Sequence, residues 1–135
     1  MKWIWSPAFG GHTGLFPGSR YVDMLGLTCL NPGKTRQGGH WRSFTTICTR
    51  PIGELHALTP GLPIQLSEVG TSAAGGNQAA WIAGMFAFLR AHPEVSSLVW
   101  FNVRKTAYRV LEGSRPAQRA FALGLRGGVR TARTA

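Results

Sequence analysis

Apolar residues recur along this chain in short dense runs, each followed by a glycine-bearing loop and then by a stretch with helical spacing. Residues 2–5 form the first run and are closed by Ser6 and Pro7. Residues 8–19 are rich in glycine, with Pro17 and Gly18 marking a turn. Residues 22–30 (VDMLGLTCL) are nearly continuous in apolar side chains, the pattern of a strand buried on both faces. A polar loop, 31–40, leads to residues 41–58, where Phe44, Ile47, Leu55 and Leu58 follow a helical period. Pro51 and Gly53 interrupt that period and predict a kinked or split helix. Residues 63–70 (PIQLSEVG) hold the third strand, with Pro63 before it, Ile64, Leu66 and Val69 apolar within it, Glu68 at its C-terminal end and Gly70 after it. Asn77 is placed to cap a helix whose Trp81, Met85, Phe88 and Leu89 share a face and which stops before Pro93. Residues 97–102 (SLVWFN) are the fourth strand, and 116–125 the last helix. This alternation predicts an α/β fold on a parallel sheet, and four βα units are half of a (β/α)8 TIM barrel.

Composition adds limits. The chain has 135 residues, enough for one domain, and 44% of them are hydrophobic, which argues against wholesale disorder. Fifteen Lys and Arg against five Asp and Glu give a net charge of +10. Such a balance raises nucleic acid as a partner, but the basic residues form no helical stripe and many lie in loops or near the end, so no nucleic-acid partner is expected. Residues 126–135 are small, polar and basic and are expected to be a disordered tail after a domain spanning 1–125. The longest apolar helix, around residues 79–89, is too short to span a bilayer, so no membrane partner is expected either. Met1 and Lys2 run straight into a strand with no signal peptide visible. Cys29 and Cys48 are too few for a disulfide framework or a zinc site, and Cys29 is expected as a buried free thiol.

Little of the local chemistry is specific. Gly33-Lys34-Thr35 lacks the upstream glycine of a phosphate-binding loop, since Thr28 stands there. His12, His40, His56 and His92 have no metal-ligand spacing, so neither metal nor cofactor is expected. Gly75 and Gly76 could receive an anion at a helix start, although such glycines more often serve a tight turn. The strand ends say more. Glu68 ends the third strand, Trp100 and Asn102 the fourth, and Asn31 follows the second. In a barrel these positions face one rim, and a carboxylate, two amides and a tryptophan are the equipment of a sugar site.

The segments WIWSP (3–7), PGSRYVDMLG (17–26), WRSF (41–44), PIQLSEVG (63–70), GGNQAAWI (75–82), VWFN (99–102) and the pair Tyr108-Arg109 together resemble the C-terminal half of the catalytic barrel of glycoside hydrolase family 26, the β-mannanase type. The resemblance implies strands five to eight of that barrel, a β-linked polysaccharide such as mannan as partner, and a retaining reaction. It makes Glu68 the nucleophile and Trp100 the platform beside the cleaved sugar, with Asn31 and Asn102 as hydroxyl partners. It puts the family's general acid/base on a strand preceding Met1, so that group is absent from these residues. An extracellular or periplasmic location is implied for a full-length relative. The chain departs from the family at residues 28–31 (TCLN), where Leu30 replaces a tyrosine expected to hydrogen-bond the nucleophile, and at Met24, which replaces a tryptophan. With one carboxyl group of the pair missing, little activity is expected of the chain alone. Two other readings stay open: a carbohydrate-binding remnant without turnover, and a half-barrel that self-associates through its exposed sheet edges.

Overall fold

The computed structural model describes residues 1–7, 13–103 and 111–127, so the expected Tyr108-Arg109 pair, His12 and residues 128–135 lie outside the described residues. The fold is α/β, with strands β1 (Ile4–Trp5), β2 (Met24–Asn31), β3 (Ile64–Thr71) and β4 (Val95–Trp100) and helices α1 (Phe44–Leu58), α2 (Gln78–Ala91) and α3 (Arg115–Arg126). The strands lie in the order β1-β2-β3-β4, every neighbouring pair parallel. The parallel α/β arrangement expected from the strand-helix alternation is thus what forms.

Burial divides the sheet into two unlike faces. Leu25, Leu27 and Cys29 of β2 and Ile64, Leu66 and Val69 of β3 are buried, in one cluster with Phe44, Cys48, Ile52 and Leu55 of α1 and Trp81, Ile82, Met85 and Phe86 of α2. Among the described residues no helix covers the opposite face, where Val99 is 51% exposed. The near-continuous apolar run of β2 was expected to be buried on both faces; its alternate residues Thr28 and Leu30 are only half-buried. On that bare side Gly26 is sterically required: a Cβ there would come within 2.6 Å of both Ser6 and Ser67. Those two hydroxyls are 3.3 Å apart across the glycine, which lets β1 and β3 approach each other over β2.

Two local expectations are corrected. The helix expected to be kinked or split at Pro51 and Gly53 is not split: it runs from Phe44 to Leu58. Proline in a helix interior costs about 3 kcal/mol. Here Phe44, Cys48, Ile52 and Leu55 form one buried stripe on both sides of the proline, and burying side chains of that size outweighs the lost hydrogen bond. Ser43 caps the start by accepting from the Thr46 N–H at 3.1 Å. Second, Cys29 is not a free thiol but is bonded to Cys48, with the Cα atoms 6.2 Å apart, inside the usual disulfide range. The two cysteines are 19 residues apart and join β2 to α1; closing a loop of that size contributes roughly 3 kcal/mol.

Asn77 caps α2 as its sequence position predicts, its Oδ1 accepting from the Ala80 N–H at 2.9 Å. The domain boundary expected after residue 125 falls one residue before the end of α3.

Candidate functional site

Glu68 owes its position to an irregularity in β3. Leu27 pairs with Leu66 and Thr28 with Glu68, so Ser67 is an extra residue on the β3 side. This is the two-against-one count of a β-bulge. Leu66 and Val69 both point into the core, and the two residues between them, Ser67 and Glu68, are left to the bare face. Thr28, flanked by core-facing Leu27 and Cys29, shares that face and is the cross-strand neighbour of Glu68. Among the described residues nothing donates a hydrogen bond to the Glu68 carboxylate, which is half-buried. The strand continues three residues beyond Glu68, to Thr71, so the carboxylate sits inside the C-terminal half of β3 rather than at its tip. A pair of polar residues between two core positions, where alternation allows one, is the sequence signal for this bulge.

The next row along the bare face is Leu30, Gly70 and Phe101. Leu30 pairs with Gly70, and a Cβ built on Gly70 would stand 3.6 Å from both Leu30 Cδ2 and Phe101 Cβ. Phe101 therefore leaves its backbone on the side of Glu68. Trp100, one residue earlier, leaves on the other side. Its ring packs edge to face against Trp81 (centroids 6.3 Å apart) and Phe121 (5.4 Å), inside the helical layer. Of these two neighbouring aromatics, sequence reasoning picked Trp100; the shared parity of Trp100 with core-packed Leu98 is the signal that separates them.

Asn31 and Asn102 are engaged by the fold itself. Asn31 is fully buried. Its Nδ2 donates to Thr71 Oγ1 at 3.0 Å, and its Oδ1 accepts from the backbone N–H groups of Gly33 (3.3 Å) and Arg42 (3.2 Å). It thereby ties the ends of β2 and β3 to the start of α1. Asn102 donates to both carboxylate oxygens of Glu112, at 2.9 and 3.1 Å, and accepts from the Leu111 N–H at 2.9 Å. Replacing Asn31 with alanine orphans two backbone donors and is expected to lower stability by about 2–4 kcal/mol, read from the shift of the urea midpoint. A residue needed only for a ligand would leave that midpoint in place.

The other four of the five acids are elsewhere or engaged. Asp23 accepts from the Trp3 N–H at 2.7 Å, at the start of β2 and so at the opposite end of the sheet. Glu54 pairs with Arg50 along α1. Glu94, just before β4, lies 2.8 Å from His92. Burial pushes the Glu94 carboxyl up, but the His92 hydrogen bond, its own backbone N–H and the His92 and His56 charges together hold it below its ordinary value. Glu112 is at the C-terminal end but is held by Asn102. Among the described residues no three His, Cys, Asp or Glu side chains gather to hold a metal.

No family model matches the chain. It is similar to Endoglucanase H of Acetivibrio thermocellus, 31% identical over 102 residues. That alignment takes in 73% of this chain and 11% of the relative, so the chain spans about a tenth of the length of the curated protein it matches.

Proposed function

We propose that residues 1–125 are four consecutive βα units of a (β/α)8 barrel of the glycoside hydrolase family 26 type, followed by a basic tail, with Glu68 the nucleophile of a retaining reaction on a β-linked polysaccharide. The observation that carries this reading is the position of Glu68: a carboxylate in the C-terminal half of a strand which, among the described residues, has no donor and lies on the face of the parallel sheet opposite the helices. Such a face fits the interior of a barrel whose remaining strands would come from beyond these four. The partial similarity to an endoglucanase supports a glycosidic substrate and sets a β-glucan beside mannan as the polymer to test.

In the reaction, a Glu68 oxygen attacks the anomeric carbon as the bond from that carbon to the leaving oxygen breaks, giving a glycosyl ester. A second carboxyl group, about 5–5.5 Å away in retaining enzymes, protonates the leaving oxygen and later takes a proton from the water that cleaves the ester. Asp23, Glu54, Glu94 and Glu112 are fixed in other places, so that group comes from outside this chain. The test is covalent labelling by activated aryl β-mannosides and β-glucosides, with the labelled peptide located by mass spectrometry. Label on Glu68 is the expected result; label elsewhere, or none, counts against the reading.

The two parallel edges, β1 and β4, favour a second reading in which another copy supplies the missing strands. A two-fold axis along the strands sets β1 of one copy beside β4 of the other, parallel and closed. The net charge of +10 opposes this at low salt. Sedimentation at rising salt separates the two: twice the 14.6 kDa chain mass for the dimer, the chain mass itself for a piece that awaits other strands.

A further inference from the structure

Lys34, Arg36 and Arg42 stand on the loop between β2 and α1, at the C-terminal end of the sheet, and all three are exposed. Among the described residues none of their charged groups has an ion-pair or hydrogen-bond partner. The acids that could balance them are elsewhere or taken. Asp23 and Glu94 precede β2 and β4, at the far end of the sheet. Glu54 pairs with Arg50, and Glu112 is held by Asn102. The three helices start at this same end, and none carries an acid in its first turn, where carboxylates are usually favoured. The loop itself is fastened to the next one. The Lys34 N–H donates to Ala74 O at 2.9 Å, and the Ser72 N–H donates to Asn31 O at 2.9 Å. The Lys34 stem lies along Gly75, where a Cβ would come within 2.9 Å of both its Cγ and its Cδ. Arg42 is held through its backbone, the N–H donating to Asn31 Oδ1 and the carbonyl accepting from Trp81 Nε1.

We propose that the polymer is an acidic β-linked polysaccharide, one carrying uronic-acid residues, and that Lys34, Arg36 and Arg42 receive its carboxylates. The inference rests on the glycosidic reading of Glu68 and narrows the substrate class of that site. Like charges grouped on a fastened loop repel one another and cost stability unless a counter-charge arrives. A neutral mannan brings none. A carboxylate suits both kinds of cation: arginine offers a planar fork of donors to its two oxygens, and lysine a compact point charge. The loop leaves the sheet where β2 and β3 end, at Asn31 and Thr71, three residues along β3 from Glu68. At about 3.3 Å per residue, its base is about 10 Å from the Glu68 backbone. The cations therefore meet a sugar beside the cleaved one and leave the reacting centre to Glu68. The similarity to an endoglucanase favours a polysaccharide over nucleic acid as the polyanion.

Calorimetry on the full chain compares mannotetraose with the same tetramer after each primary alcohol has been oxidised to a carboxylate. At about 0.01 M salt the acidic tetramer is expected to bind about tenfold or more tightly than the neutral one. At about 0.15 M, where the screening length has fallen from about 30 Å to about 8 Å, the gap is expected to shrink severalfold. Lys34→Gln, Arg36→Gln and Arg42→Gln together remove most of the gap, and each alone removes part of it. The single variants carry the test if the triple variant fails to fold. Arg119→Gln with Arg126→Gln, on α3, leaves the gap in place. Equal affinity for the two tetramers overturns the inference, as does a gap that the loop variants keep or the α3 pair removes. An oligonucleotide of the same charge bound as tightly, or no saturable binding of the acidic tetramer at millimolar concentration, overturns it too. Labelling of Glu68 by the aryl glycoside is read separately: acidic tetramer bound through the loop with Glu68 unlabelled defeats the glycosidic reading and leaves the acidic-sugar site standing.

Discussion

Mixed with an activated aryl β-glycoside, the chain is expected to release about one equivalent of phenolate and then stop. The first step needs an attacking carboxylate and a leaving group. An activated phenolate departs without a proton, so Glu68, as the proposed nucleophile, would suffice for it. The second step needs a base to deprotonate water, and in a retaining enzyme that base is the same group that served as acid. None of the four remaining carboxylates is placed for it, because each is bonded into the fold or lies at the far end of the sheet. The glycosyl ester should therefore accumulate as a stable mass increase on the peptide containing Glu68, and Glu68→Ala should show neither burst nor label. Polysaccharide is a different case, since its leaving oxygen must be protonated. The loss of that help alone slows the step by roughly a hundred- to ten-thousand-fold, and hydrolysis of mannan or glucan should stay below detection. Steady polysaccharide turnover that vanishes in Glu68→Ala would mean that a second carboxyl group within these 135 residues reaches the cleft after all.

The largest effect on stability is expected at Trp81. Its side chain is 2% exposed. The ring meets Phe44 of α1 edge to face (5.4 Å) and Trp100 of β4 (6.3 Å), so one side chain joins three elements. Its Nε1–H donates to the Arg42 carbonyl at 2.9 Å. The Arg42 N–H in turn donates to Asn31. The peptide that leads into α1 is thus held on one side by an indole from α2 and on the other by an amide from β2. Trp81→Ala is expected to cost about 3–5 kcal/mol, and Trp81→Phe, which keeps most of the ring contact, about 1–2 kcal/mol. Both can be read from denaturant midpoints. A Trp81→Ala cost below about 1 kcal/mol would place the residue outside the core that the packing defines.

What could be read from the chain itself followed from how local each cause was. The dense apolar runs at 22–30 and 63–70 and the Asn77 cap are local signals, and they led to a parallel α/β sheet with a helix in the expected place. Pro51 is a local signal too, but it competes with a buried stripe whose strength depends on what α1 packs against. The Cys29–Cys48 bond depends on how β2 and α1 dock, which a separation of 19 residues does not encode. At the site, strand-end position was readable for Asn31, Trp100 and Asn102, whereas their engagement was not. Partners such as Thr71 and Glu112 come from other segments, and the side of the sheet on which Trp100 leaves follows from its parity with Leu98. For Glu68 the Ser67-Glu68 doublet between two core residues carries a signal of the bulge, but the strand-end reading did not use it.

The strands lie across the sheet in the order in which the chain presents them. Among the described residues every strand has only its predecessor and successor as partners, so assembly needs no strand to wait for a distant one or to insert between two already paired. Growth can proceed as tandem addition during synthesis, each new unit docking on the edge left by the last. The α2–α3 seam fits this order. Gly124 of α3 lies against the Phe86 ring too closely to admit any side chain, so the final helix closes over a ring that α2 has already positioned. Parallel pairing requires a crossover to be laid down before each new strand can register, which makes every addition slow relative to a hairpin. While the chain is being made, its leading edge is therefore an open strand of fixed polarity, ready for the next parallel unit.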